Sequence, residues 1–169
     1  MNVREATIAD ARRIAEIHVA GWRAAYRGQM PDEVLDNLDV ENRAAFWSAH
    51  LTTQPHALFV AELNREILAF CDLIPSRDTD SDSATTGEIV AIYADPNHWR
   101  KGAGKALCRF ALERARLENY TAVTLWCLSS NIPARMFYEK IGFHLDGAAK
   151  IDHSFRNHEL HKVRFRISL

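Results

Sequence analysis

Gly87-Glu88-Ile89-Val90-Ala91-Ile92-Tyr93-Ala94-Asp95-Pro96-Asn97-His98-Trp99-Arg100-Lys101-Gly102-Ala103-Gly104-Lys105 is an apolar, β-like run that empties into a polar turn carrying two glycines. From 102 to 118 the period changes to that of a helix, with Ala103, Leu107, Phe110, Ala111, Arg114 and Ala115 on one face, and residues 121–128 are β-like again. The segment is a β-α-β unit. In its first turn the glycines let successive N–H groups point at one anion, the helix N-terminus adds partial positive charge, and Arg100, Lys101 and Lys105 add full charges. The ligand implied is a phosphate or pyrophosphate. A P-loop would need Gly where Trp99 stands and Ser or Thr where Ala106 stands, and a dinucleotide fingerprint beginning at Gly102 would need a third Gly at Leu107, so both are excluded. Taken alone, a helix start that needs small residues explains the glycines equally well.

Upstream, residues 2–5 read as a short strand, and Thr7 with Asp10 makes a helix start in which Asp stands where a capping box usually has Glu. Ile14, Ile17, His18, Gly21, Trp22 and Ala25 recur at helical spacing before Gly28 stops the helix. Pro31 opens a short helical stretch to Leu38, and Asp39 caps a third that carries Phe46, Trp47 and Leu51. Residues 57–63 and 67–74 are apolar runs separated by Asn64-Arg65-Glu66, an antiparallel hairpin. Residues 76–86 form a polar loop in which Asp78, Asp80 and Asp82 alternate; the Gly and distal Glu of a calcium loop are missing, which predicts a solvated connection. Downstream, residues 131–141 form a helix with Pro133 in its first turn and Gly142 at its end, and residues 143–169 alternate as a terminal hairpin. No repeat or linker interrupts the chain. The reading is one mixed α/β domain over residues 1–169.

Twenty-one Lys and Arg against 22 Asp and Glu give a net charge of −1, which lacks the basic field that nucleic-acid binding needs. Cys71, Cys108 and Cys127 are far apart and each lies in an apolar run, so neither a disulfide framework nor a metal site is expected, and a reducing, cytoplasmic compartment fits. The first ten residues carry no apolar leader segment, and no stretch approaches the roughly 18 apolar residues of a membrane span. His158 and His161 form H-x-x-H, but on a strand residues three apart point to opposite faces, so they are not paired ligands.

The run from Gly87 to the end of Asn131-Ile132-Pro133-Ala134-Arg135-Met136-Phe137-Tyr138-Glu139-Lys140-Ile141-Gly142-Phe143 resembles the GNAT superfamily of acetyl-coenzyme A-dependent N-acetyltransferases. The first part is similar to the family's central strand and pyrophosphate loop, the second to its N-x-x-A-x-x-F-Y-x-x-x-G-F signature. His18, Trp22, Tyr26 and Gly28 resemble the first helix of many small members. Trp99 departs from the pattern, which has Gln or Arg there, with Arg100 one place later; a cradle built of backbone N–H makes that side chain matter less. The fold implied is a mixed, mostly antiparallel seven-stranded sheet flanked by helices.

The resemblance also implies roles. Backbone groups of Ile92, Tyr93 and Ala94 would pair with the pantetheine and thioester where the central strands splay. The N–H groups of Arg100, Lys101, Gly102, Ala103, Gly104 and Lys105 would hold the pyrophosphate, and Asn131 would bind the coenzyme near the last helix. Tyr138 would be the general acid toward the coenzyme thiolate, although its apolar stripe with Phe137 and Ile141 also fits plain packing. Glu88 would be the general base, through water; the rival reading is a strand-end glutamate facing solvent, with His153 or a distant Asp as base. Trp22 and Tyr26 share one helix face, as core residues or as a wall of the acceptor pocket, with Arg23 and Arg27 beside them. No cysteine has a nucleophile's context, so the expected reaction is direct attack in a ternary complex by an amine of a small molecule or peptide, with no metal. The alternative is a catalytically silent acetyl-coenzyme A-binding or structural protein of the same fold. Homodimerisation is compatible with the family, and nothing selects the acceptor.

Overall fold

The computed structural model describes residues 1–155 and 158–169. Its strands are Asn2–Glu5 (β1), Leu58–Leu63 (β2), Glu66–Pro75 (β3), Thr86–Ala94 (β4), Ala122–Leu128 (β5), His144–Phe155 (β6) and His158–Ser168 (β7). The helices are Ala11–Tyr26 (α1), Asp32–Asp36 (α2), Val40–Thr53 (α3), Ala103–Leu117 (α4) and Ile132–Ile141 (α5). They build the expected seven-stranded mixed sheet, in the order β1-β2-β3-β4-β5-β7-β6. Every neighbouring pair is antiparallel except β4 and β5. Parallel strands need a crossover, and α4 supplies it.

The start and stop signals work as physical chemistry requires. The Asp10 carboxylate accepts the Thr7 N–H at 2.7 Å and a bidentate pair of bonds from Arg4 at 2.7 and 3.0 Å, so the cap of the first helix also ties it to β1. Asp39 accepts the Asn42 N–H at 2.7 Å at the start of α3. The second helix is shorter than its sequence pattern, ending at Asp36.

Because the sheet is covered on both faces, β3 is buried without a break from Ile67 to Leu73, an apolar run rather than an alternation. One core joins α4 and α5 to Phe59, Ala69, Cys71, Ile89, Leu125 and Phe165; the other joins α1 and α3 to Leu58, Val60 and Phe70. A smaller apolar group of Met30, Leu35, Leu128 and Leu160, with Trp22 and Tyr26 against it, closes α2 onto the far end of β5.

The polar loop between β3 and β4 is mostly exposed, as its composition predicts, but two of its aspartates are anchored to the sheet. Arg164, its side chain only 8% exposed, grips Asp80 with two bonds of 2.6 and 2.7 Å, Asp78 at 3.1 Å and Asp146 at 2.7 Å, while the Trp126 indole donates to Asp78 at 3.0 Å. A guanidinium has five donors in one plane, and three aspartates from two segments take four of them. The loop is folded down onto β5 and β7.

His18 lies inside the α1–α3 core, stacked 4.9 Å from Tyr93, with its Nδ1 accepting the Trp47 indole N–H at 3.2 Å. Burial lowers its pKa to about 3 from an ordinary 6.5. Below 6.5 the unfolded chain takes up a proton that the folded chain refuses until about 3, so stability is intact above that window and is lost as pH falls through it. Urea unfolding should therefore show the wild type losing about 2 to 3 kcal/mol more than His18→Asn between about pH 7 and pH 4.5. Equal losses in the two proteins contradict this.

Candidate active site

The site begins with a failure of strand pairing. β4 and β5 pair from Thr86 with Ala122 to Ile89 with Leu125 and no further. Beyond that point β5 continues alongside β7 and β4 alongside β3. The cause is local: Asp72 pairs with Ala91 and Leu73 with Ile89, which leaves Val90 as an extra, bulged residue where the two strands part. A bulge bends and twists its strand, and here it carries the second half of β4 away from β5.

Backbone direction alternates along a strand, and the Asp95 N–H donates to the Leu68 carbonyl at 2.8 Å, so the backbone groups of Tyr93 face β3 while those of Ile92 and Ala94 face the opening. Of the residues expected to line the opening with backbone, Tyr93 thus contributes its side chain instead. The Ala94 carbonyl accepts the Trp99 indole N–H at 2.9 Å. Trp99, at the place of the sequence departure, latches the turn to the strand end, a role invisible in the motif.

The turn is anchored by Asp95, which accepts the Asn97 N–H at 2.9 Å and an Arg13 bond at 2.6 Å from α1. After it, Arg100 and Gly102 adopt left-handed backbone, with φ of 64° and 89°. Among the described residues, none of the six N–H groups from Arg100 to Lys105 has an acceptor; the first bond of α4 runs from Ala106 to Gly102. A helix start left open this way, with three cationic side chains beside it, has the donors and charge that an anion requires. The two glycines serve different ends. Gly102 has open space around it and is required by its φ, whereas a Cβ on Gly104 would meet the Phe137 ring at 3.2 Å. Asn131 caps α5 by accepting the Ala134 N–H at 3.2 Å, so its amide NH2 is the part that remains for a ligand.

Three phenols converge at the opening. Tyr138 rises from α5 among Phe137, Phe143 and Phe165, is 9% exposed, and its hydroxyl has no hydrogen-bond partner among the described residues. Tyr26 and Tyr93 come from the other side, their hydroxyls 3.2 Å apart. Burial raises all three phenol pKa values, Tyr138 pushes that of Tyr26 higher, and Tyr93 does the same to Tyr138. Trp22 and Tyr26 pack against the α2 cluster, the core reading of the two expectations. Next to them a cleft of about 440 Å³ runs between Gly28, Met30 and Asp32 and the β7 residues His158, Glu159 and Leu160.

Glu88 sits at the closed end of the opening, paired on both sides through its backbone and 2% exposed. It does not face solvent. Arg77 donates to its carboxylate three times, from Nε at 3.1 Å, Nη2 at 2.8 Å and its own backbone N–H at 3.1 Å. Burial pushes the Glu88 pKa up, but these bonds outweigh it and hold the carboxyl below its ordinary value. Arg77 had no sequence signal, being one charge in a polar loop. Lys150, with its Nζ 3.8 Å over the Trp126 ring, is the other cation on this face. His153 is exposed on β6. Among the described residues no group of three His, Cys, Asp or Glu side chains converges to hold a metal, and no helix is long and apolar enough to cross a membrane.

The chain matches the acetyltransferase (GNAT) family over residues 11–143. It is 28% identical over 140 residues to YuaI, an uncharacterised N-acetyltransferase of Bacillus subtilis, an alignment covering 82% of this chain and 78% of that one. Among solved structures, the PaiA N-acetyltransferase of Thermoplasma acidophilum in complex with coenzyme A superposes with a TM-score of 0.77 at 17% identity, covering 99% of this chain and 98% of the other. YncA of Salmonella typhimurium with its cofactor acetyl-CoA gives 0.74 at 21% identity, covering 99% and 93%. At such identities the likeness is one of fold. The family match is more specific, since it runs from the first residue of α1 through the opening, the glycine turn and Tyr138, and by it the chain belongs to the GNAT family of acetyltransferases.

Proposed function

We propose that the protein transfers the acetyl group of acetyl-coenzyme A to a primary amine of a small molecule or peptide, by direct attack while both substrates are bound. The observation that carries this reading is the row of N–H groups from Arg100 to Lys105 without acceptors, opening beside two strands that have come apart. Those donors suit a pyrophosphate, with Arg100, Lys101 and Lys105 balancing its charge. The free edge at Ile92 and Ala94 suits the amides of a pantetheine arm laid in as a short extra strand, and the Asn131 amide can donate at its side. Coenzyme bound this way supplies an activated thioester at the opening.

Tyr138 is then the proton donor toward the departing thiolate: its raised pKa keeps the phenol protonated at neutral pH, and its hydroxyl is not spent on another protein group. Glu88 takes the ammonium proton of the acceptor through water. Ionised throughout the neutral range, it is always ready but weak, so the pH dependence there follows the amine itself. Trp22 and Tyr26 border the acceptor cleft. The three cysteines are buried, unpaired thiols; burial raises Cys127 to about 11 and Cys108 to about 12, and pushes Cys71 up as well. Such thiols are protonated and poor nucleophiles, which supports direct transfer and a reducing, cytoplasmic setting.

An acetyl-transfer screen across polyamines, aminoglycosides, amino acids and peptide N-termini, read by release of coenzyme thiol, tests the activity; silence on every amine class contradicts it. Tyr138→Phe should lower kcat by about 100-fold or more with the KM for acetyl-coenzyme A unchanged. Gly102→Ala must force Ala into left-handed backbone at roughly 1–2 kcal/mol, and calorimetry should find coenzyme A bound about tenfold more weakly or worse. Without acceptor, labelled acetyl-coenzyme A should leave no hydroxylamine-labile acetyl on the protein.

A further inference from the structure

Residues 76–80 touch none of the coenzyme-binding groups, yet this short loop is bonded into the sheet three times over. Arg77 holds Glu88, Asp78 accepts from Trp126 and Arg164, and Asp80 takes both arms of the Arg164 fork. Stability alone is a poor reason for this. Burying a charged pair costs desolvation that its attraction repays only in part, and an apolar pair at such a position is often as stable. The arrangement is also asymmetric: the Glu88 side chain is 3% exposed and that of Arg77 64%. What the loop accomplishes is geometric, since two aspartates pin the backbone of the residue next to Arg77 and so fix where its fork meets the carboxylate.

We propose that Arg77 is a positioning residue for acetyl transfer, whose fork, held in place by the Asp78–Arg164–Asp80 cluster, fixes the orientation and charge of Glu88 at the closed end of the β4–β5 opening. The inference rests on the reading of Glu88 as the water-mediated base. Of the two carboxylate oxygens, Oε2 accepts from both Nε and the backbone N–H of Arg77, and Oε1 accepts from Nη2 alone. Oε1 thus keeps the lone pair that can take a proton: the acceptor ammonium passes one proton to a water, the water passes one to Oε1, and the neutral amine keeps its electron pair for the thioester carbon. The charged groups facing Glu88 and Arg77 are few. Asp78 comes from the loop, Asp72 from β3, with His50 of α3 bonded to it at 3.1 Å, and Lys150 from β6. Removal of Arg77 leaves Lys150 as the cation near a buried carboxylate, and burial, the largest influence on Glu88, then prevails.

The test compares Glu88→Gln, Arg77→Gln and Arg77→Lys with the wild type by two readouts. In carbon NMR of glutamate-labelled protein, with Glu88→Gln assigning the signal, Glu88 should titrate below its ordinary 4.5 in the wild type and above it in Arg77→Gln. In acetyl transfer to spermidine, an aminoglycoside, glutamate and a tripeptide, the logarithm of kcat/KM should be nearly flat with pH in the wild type below the amine pKa, where the ammonium and the ionised Glu88 are the reacting pair and neither changes. In Arg77→Gln the profile should instead rise with a slope of about one below the new Glu88 pKa, kcat at neutral pH should fall about 10- to 100-fold, and coenzyme A affinity should stay unchanged. Arg77→Lys, which keeps the charge without the fork, should recover part of the rate and the wild-type slope. An Arg77→Gln enzyme with wild-type titration and slope, or one whose kcat falls only in step with coenzyme affinity and melting temperature, overturns the inference. A Glu88→Gln enzyme with undiminished turnover removes Glu88 from the reaction and this inference with it, while acetyl transfer itself stands on the Tyr138→Phe loss and the screen. Should Arg77→Gln not fold, the Arg77→Lys comparison decides alone: unchanged kcat overturns the role of the fork.

Discussion

The rest of the site depends on one interrupted ladder. Parallel β4 and β5 share four residue pairs and then separate, because Val90 is one residue too many for its partner β3. Inside a sheet, backbone N–H and C=O groups are normally consumed by neighbours, and a break in the middle of a seven-stranded sheet leaves buried polar groups that only a ligand or water can satisfy. That debt is tolerable here because it is confined to the ends of the two strands. It also lets groups from opposite faces of the sheet approach each other, which is why Tyr138 from α5 and Tyr26 from α1 share one electrostatic environment.

Around the break, each element has a second attachment that aims it. Trp99 ties the anion-binding turn to Ala94, and Arg13 ties the same turn to α1 through Asp95. Gly104 brings the start of α4 against Phe137 on the helix that carries Tyr138. At the closed end, Arg164 draws the β3–β4 loop onto β7, and Arg77 of that loop lies against Glu88. These are charge-assisted or indole bonds, and in each ion pair one partner, Asp95, Arg164 or Glu88, is largely shielded from water, where such contacts hold geometry better than fully exposed pairs do.

The electrostatics divide along the same line. At the turn, three exposed cations and a row of N–H groups stand with no internal acceptor, a surface ready for an anion. On the face that carries Glu88, the cations Arg77, Lys150 and Arg164 are each paired with a carboxylate among Glu88, Asp78, Asp80 and Asp146, so no cation of this group stands unpaired. A net charge of −1 for the chain conceals this contrast between one unbalanced patch and one closed network.

Much of this could be read without coordinates. The order of strands and helices, the caps at Thr7 and Asp39, the hairpins and the anion-binding turn follow from local periodicity, capping chemistry and glycine conformation, all of which act over a few residues and are written in order along the chain. The motif residues Gly102, Asn131 and Tyr138 were legible for the same reason. The tertiary structure alone decided that Val90 bulges, that Tyr93 turns its backbone away from the opening, that Trp99 is a latch, and that Glu88 is sealed under Arg77 rather than facing water. It alone turned an apparently solvated run of aspartates into the grip on Arg164. A strand's register, a side chain's burial and the partner of a charge depend on residues 11 to 86 positions away, and no local pattern encodes which distant group will be there to meet them.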